Sequence, residues 1–312
     1  MANTFIKATK VVNTALAVLE RETVLPNLVW RDAAGDFQGA YADTISIRLP
    51  AYTSARTRTL RATDKITIDE LTETKVDVTL DTDVYKGVTV TDENMTLDIT
   101  DFSVQVLSPI LRAVKTGIED ELVDTITGAS YALTETFSEA DPLGSVLKAR
   151  TALNKCYVPM ADRVFACGAD IEELILKDLA NRESGVSSAE SALLDALVAK
   201  YGGFRIVSVP AFAPDEAYAF HKTAFVLSSR APVVPDGASW GATQAFNGFA
   251  IRVIKDYDPD YLRDRVIANC YIGCDVVYDD GALNSDDQFA PEDGSGSGSP
   301  ILVRAVKLTL GS

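Results

Sequence analysis

Three arginines, Arg56, Arg58 and Arg61, fall within six residues of the stretch SARTRTLRATD. So dense a cationic spot could grip phosphate, a lipid surface or a carboxylate-rich protein, or it could face only solvent. The rest of the chain narrows the choice. It holds 45 acidic against 29 basic residues, a formal net charge of −16. A surface that negative repels DNA and anionic lipid in bulk, which argues against a general nucleic-acid binder. Arg56 and Arg58 are two apart and share one side of an extended strand. Guanidinium groups suit bidentate pairing with carboxylates, so an acidic partner stands beside solvent and nucleic acid among the readings left open here.

Other residues carry the outline of chemistry without its substance. GASWG, around Ser239, matches the nucleophile elbow of α/β-hydrolases. That fold needs a histidine after the serine, and the sole histidine, His221, precedes it. Two prolines in the preceding APVVPDG stand where a central strand should run. Asp256, Asp258 and Asp260 alternate as an EF-hand loop begins, but Tyr261 replaces the required glycine and Ile267 the closing glutamate. That stretch reads as a turn. GSGSGSP leads to a proline and a strand where a phosphate loop needs a helix N-terminus. No Cys/His cluster suggests zinc. Cys270 and Cys274 sit four apart on an apparent strand, ~13 Å, too far to bridge. With Cys156 and Cys167 they read as buried, reduced thiols. The chain is therefore expected to be no enzyme, with no cofactor and no metal.

The elements around these residues come from periodicity. Thr4 to Leu25 has helical apolar spacing, stopped by Pro26. Charges interrupt it, so it is no secretion signal, and no run of ~18 apolar residues spans a membrane. From Asp43 to Thr91 the period becomes two. Ile45, Ile47 and Leu49 share one face, and Val76, Val78 and Leu80 another. The arginines lie between these strands, toward the far end of a two-stranded arm. About 18 residues a side would reach up to ~60 Å, and an arm so long needs something to lie on.

A long helix follows. Val104, Leu107, Leu111, Val114, Ile118, Leu122 and Ile126 form its stripe, Thr100 or Asp101 its cap, and Gly128 its end. The stripe keeps its phase through Pro109, which predicts one kinked helix. Next come helices over 143–154, 169–179 and 189–201 and strands in DRVFACG, FRIVSVP, EAYAFHK and AFVLSS. A hairpin turning at Asp258-Pro259-Asp260 follows, then an acidic Gly/Ser-rich connector and a last strand, ILVRAVKLTL. Gly294 to Ser299 are expected to form a loop that tolerates insertion.

The order of these parts resembles the major capsid (coat) proteins of tailed bacteriophages, the Johnson fold. The closest branch looks like the short-tailed Salmonella-phage type and its actinobacterial-phage relatives. The likeness is carried by MANTFIKATKVVNTALAVLERETVLPNLV, DTISIRLPAYTSARTRTL, DVTLDTDVYKGVTVTDENMTLDITDFSVQVLSPILRAV and GFRIVSVPAF. It implies an α+β fold in named parts: an N-terminal arm (1–35), an extended β-hairpin loop lying on a neighbouring subunit (36–91), and a spine helix and peripheral domain (92–139). An α/β axial domain (140–247) and C-terminal β-hairpins (248–312) complete it. The extra domain inserted in the Salmonella-phage branch has no counterpart long enough here.

The same resemblance implies a structural protein that assembles with itself, as pentamers and hexamers, into an icosahedral shell around double-stranded DNA. Portal and scaffolding proteins would be its partners and the virion its location, with no membrane. The net negative charge suits a wall that encloses DNA without binding it. Arg56, Arg58 and Arg61 become candidates for contact between subunits. An encapsulin-type compartment is the alternative, and a serine hydrolase using Ser239 a more remote one.

Overall fold

The computed structural model of the chain describes residues 24–31, 44–49, 55–61, 65–66, 68, 74–99, 101–183, 201–246, 249–291 and 300–311. The helices expected over Thr4 to Leu25 and Ala189 to Tyr201, and the Gly294–Ser299 loop, lie outside those residues, apart from Val24, Leu25 and Tyr201. In chain order the elements are β1 (Thr44–Leu49), β2 (Thr74–Thr79), β3 (Thr82–Thr91), α1 (Ser108–Gly128), β4 (Tyr131–Phe137), α2 (Pro142–Lys155), β5 (Arg163–Cys167) and α3 (Ala169–Glu183). Then come β6 (Arg205–Ser208), β7 (Glu216–His221), β8 (Phe225–Arg230), β9 (Trp240–Phe246), β10 (Phe249–Asp258), β11 (Arg263–Val276), β12 (Asp279–Leu283), β13 (Phe289–Pro291) and β14 (Pro300–Leu310).

The long helix forms, with a correction at its start. Its regular part, α1, is 21 residues long, and a π-helical stretch, Ser103–Leu107, leads into it. Asp101 caps the entry: its Oδ1 accepts from Val104 N–H at 3.2 Å, while its own N–H donates to Gln105 Oε1 at 3.1 Å. Pro109 falls in the first turn of α1, where a missing N–H leaves nothing unpaired. The wider winding sits just ahead of it. That winding fits more residues into a turn and rotates the early side chains away from the expected stripe. Val104 is exposed, and Leu107 and Leu111 are only partly buried. The buried stripe runs instead through Val106, Ile110, Val114, Ile118, Leu122 and Ile126, one every fourth residue.

This stripe packs on a five-stranded sheet. β11 is its long central strand, paired antiparallel to β3 along one edge. Its other edge is shared end to end by β10, over Arg263 to Asn269, and β8, over Tyr271 to Val276. β9 continues the sheet beyond β10. The alternate residues Val266, Ala268, Cys270 and Ile272 face the helix and are buried. The hairpin turns where expected, closing at Asp258↔Arg263.

The second sheet has seven strands in the order β13-β12-β14-β7-β5-β6, with β4 on β14. α2 and α3 cover one face: Val146, Ala149, Leu153, Ile171 and Ile175 pack with Phe165, Cys167, Ala217, Ala219 and Val306. The intervening residues Val164, Ala166, Tyr218 and Phe220 turn to the other face and join the core around α1. Burial on both faces gives β5 and β7 their unbroken apolar character. α2 starts as the sequence implies, with Pro142 in its first turn and Asp141 accepting from Gly144 N–H at 3.0 Å.

The arm is β1 and β2, antiparallel, in register from Thr44↔Thr79 to Leu49↔Thr74. Among the described residues its paired part is six residues a side, roughly 20 Å. The strand read continuously from Lys75 onward is in fact two. It breaks at Leu80–Asp81, and β3 leaves the arm for the five-stranded sheet.

Candidate assembly surfaces

The hydrolase outline does not come together. Ser239 is exposed just before β9, and its Oγ lies 3.4 Å from Asp256 Oδ1. His221 ends β7 in the other sheet, with Nδ1 2.8 Å from Thr223 Oγ1. Arg304 Nη1 donates to the same Thr223 oxygen at 2.9 Å and pairs with Asp279. Burial lowers the His221 pKa, and the nearby Arg304 charge adds to this. The histidine is thus tied into a structural network.

Two of the three alternating aspartates are committed to arginines across the hairpin ladder. Asp256 pairs with Arg265 at 2.7 Å and Asp258 with Arg263 at 3.2 Å. Among the described residues no group of three His, Cys, Asp or Glu gathers as a metal would need. The four cysteines are free thiols, three of them buried. Desolvation pushes Cys156 up to about 11 and Cys167, Cys270 and Cys274 up to about 12, which suppresses the reactive thiolate. No described helix is long and apolar enough to cross a membrane.

What the molecule does present is surface. Arg56, Arg58 and Arg61 lie past the distal end of β1 and are exposed, Arg61 with a left-handed φ of 70°. Sequence reasoning missed their company. Leu60, Ile66 and Ile68 are 88, 69 and 86% exposed on the same tip. The signal was in RTRTLRATDKITI, where apolar residues interleave with the charges.

The root of this arm is built with care. Val78 is fully buried against Val226 and Val277, with Trp30, Ile47 and Val76 around them. Trp30 bridges to Val226 as a short parallel strand: its N–H donates to Phe225 O at 3.1 Å and its carbonyl accepts from Leu227 N–H at 2.9 Å. At Gly273 of β11 the backbone of Thr79 passes so close that an added Cβ would lie 2.2 Å from its carbonyl oxygen. Only glycine lets the arm leave the body at that point.

A second anchor is Glu119 of α1, buried in the core. Its Oε1 accepts from Val24 N–H at 2.7 Å and Leu25 N–H at 3.2 Å, at the start of the 3-10 turn Leu25–Asn27. A carboxylate at a helical N-terminus satisfies donors that the turn leaves over. The chain entering from the N-terminal side is thereby pinned to the long helix. The far end of the five-stranded sheet, the β10–β11 turn, exposes Tyr261 and Leu262, and Leu262 has a left-handed φ of 48°.

No family model matches the sequence, and no curated protein matches it. Solved structures do, over nearly the whole chain. A chain of Mycobacterium phage Che8 superposes with a TM-score of 0.68 at 18% identity, covering 99% of this chain and 98% of its own. The capsid structure of the cyanophage P-SCSP1u gives 0.64 at 10% identity, over 97% and 92%. The capsid structure of Staphylococcus phage Andhra gives 0.56 at 9% identity, over 97% and 88%. The fold is the phage capsid (Johnson) fold, a mixed α+β architecture. In structure the chain is similar to tailed-phage major capsid proteins.

Proposed function

We propose that the chain is a major capsid protein that assembles with itself into an icosahedral shell enclosing a phage's double-stranded DNA. The observation that carries this reading is the arm. A two-stranded ribbon ends in Leu60, Ile66 and Ile68, held out with Arg56, Arg58 and Arg61, on a body that is otherwise acidic. An isolated ribbon of this kind gains its stability from a partner surface. The capsids of P-SCSP1u and Andhra, which share the fold, support the choice of partner: further copies in closed, repeated contacts.

In this reading residues 36–91 hold the loop that reaches a neighbour, 92–139 the spine helix and its peripheral elements, and 140–247 the axial domain. The net charge of −16 suits an enclosure from which packed DNA slides free. Portal and scaffolding proteins are the further partners, and the virion is the location. Placement beside the short-tailed Salmonella-phage branch and its actinobacterial-phage relatives rests on the sequence resemblance. Negative-stain microscopy of the expressed protein, alone and with the proteins encoded beside it, tests the reading. Closed shells are expected. A subunit that stays monomeric in every salt, crowding and co-expression condition would overturn it.

A further inference from the structure

The face of β11 on which the arm root sits carries a carboxylate. Gly273 lies under the Thr79 carbonyl, and Val277 packs with Val78 and Val226 in the arm-root cluster. Residues two apart on a strand share a face, so Asp275, between Gly273 and Val277, belongs to the same seat. Its register partner on β8 is Val226, a member of that cluster. Asp275 is half-buried there, and its Oδ1 accepts from Val276 N–H at 2.7 Å. Among the described residues no lysine or arginine pairs with it.

The nearest charges are of its own sign. Asp77 and Asp81 stand two residues either side of Thr79. Asp77 is compensated by Lys75 at 2.9 Å, whereas Asp81 has the Thr82 hydroxyl at 3.1 Å. From the opposite face of β11, α1 brings Glu121 toward the adjoining Cys274. Arg230 is four residues along β8, opposite Tyr271, and Arg31 stands over the Phe249 ring at 4.6 Å. Burial raises the Asp275 pKa above the ordinary carboxylate value, and the Asp81 and Asp77 charges add to this. Opposite Gly273, the fully buried Ser228 has no hydrogen-bond partner for its hydroxyl. Closing the arm root on this face takes both polar groups out of water, and the charged one resists that far more.

We propose that Asp275 is a proton-operated latch on the arm: ionised, it resists closure of the β1–β2 root onto β11, and protonated, it lets the root seat. The latch lies within one subunit, so it goes beyond the shell reading and does not depend on it. Its sign follows from the raised pKa. As pH falls, the seated form takes up the proton before the open form does. The added seating is complete below the unfolded value of about 3.9 and is lost as pH rises through the seated value.

Trp30 packs on the same cluster and reports the seating, and Trp240→Phe leaves it the sole tryptophan. The full-length protein with that change is titrated from about pH 7 to about pH 4, with acrylamide quenching of Trp30 as the readout. Quenching should fall about twofold or more on acidification, with a midpoint above the ordinary carboxylate value. Asp275→Asn in this background should show the acid-form quenching at every pH. Asp81→Asn, at an exposed position, removes one repelling charge and should lower the midpoint. His221→Gln, in the other sheet, should leave the titration in place. Quenching that stays flat in the parent, a titration that persists unchanged in Asp275→Asn, or one that disappears with His221→Gln would overturn the latch. Should Asp275→Asn fail to fold, an unmoved midpoint in Asp81→Asn would overturn it instead.

Discussion

Gly273→Ala should unseat the arm while leaving the rest of the subunit folded. The added methyl would sit 2.2 Å from the Thr79 carbonyl oxygen, about 1.2 Å short of the 3.4 Å at which ordinary contact begins. Both groups are backbone, so no side chain can swing aside. If Val78 stays in its buried pocket, one residue away, the shift tilts β2 by roughly 20°, from a spacing of ~3.3 Å per residue. Four residues further, at Thr74, the displacement grows to about 5 Å by the same spacing. Relieving that tilt means withdrawing Val78 from Val226 and Val277, and forced repacking of this kind costs about 1–3 kcal/mol. Alanine in a strand recovers roughly 0.5–1 kcal/mol over glycine. The subunit should therefore lose about 1–2 kcal/mol, a drop of a few degrees in Tm. Only two tryptophans are present, and Trp30 lies in the arm-root cluster while Trp240 is more than half exposed. Emission should shift to the red, and shells should fail in sedimentation although far-ultraviolet circular dichroism is retained. A variant that assembles normally, with unchanged emission and a Tm equal to or above the parent, would show that the close passage at Thr79 does not fix the arm.

Three further outcomes follow from the same geometry. Changing Arg56, Arg58 and Arg61 together to Glu should leave the subunit's stability within about 0.5 kcal/mol of the parent, because the three are exposed; closed shells should be lost by sedimentation, with single changes giving partial, salt-sensitive defects. Glu119→Ala strands the N–H groups of Val24 and Leu25 in the core and should cost about 2–4 kcal/mol, whereas Glu119→Gln keeps an acceptor and should recover most of that in a thermal melt. His221 is the sole histidine, and its folded pKa lies below the unfolded value of about 6.5. The unfolded chain then binds the proton first, so stability is full above that value and falls as pH drops through it toward the folded pKa. Denaturant melts between pH 7.5 and about 5.5 should show that slope in the parent and lose it in His221→Gln; an equal slope in both would remove the histidine as its source.

Much of this molecule is legible in its sequence because burial follows period. The stripe from Val114 to Ile126, the turn at Asp258-Pro259-Asp260 and the helices after Asp141 and Gly168 could all be read directly. The arm was readable too, but its limit was not. Val76, Val78, Leu80, Thr82 and Val84 keep one alternation across the break at Leu80–Asp81, so period alone cannot mark where the chain leaves one sheet and joins another. The upper stripe of the helix failed for a related reason: the π-helical turn changes the winding, and apolar spacing assumes a constant one. Of the surfaces, the arginines stood out by charge. Tyr261 and Leu262 did not, since single apolar residues in a turn acquire meaning only with their exposure and backbone angle. Glu119, in GIEDELVD, resembles any solvated helix charge until a distant backbone is seen to land on it.

The position of β14 has a consequence in time. It lies between β4 and β7, pairing with both, yet it comes after both in the chain. While the chain is being made, the strands on either side wait with open edges until residues 300–310 emerge. The seven-stranded sheet therefore cannot be completed until its last strand has been made. Until then a nascent chain lacks the finished body on which its neighbours would dock. If the chain assembles as proposed, ribosomes translating one message side by side could carry many arms close together before any finished body exists to receive them, so that the sheet's own wiring would keep construction of the subunit ahead of construction from it.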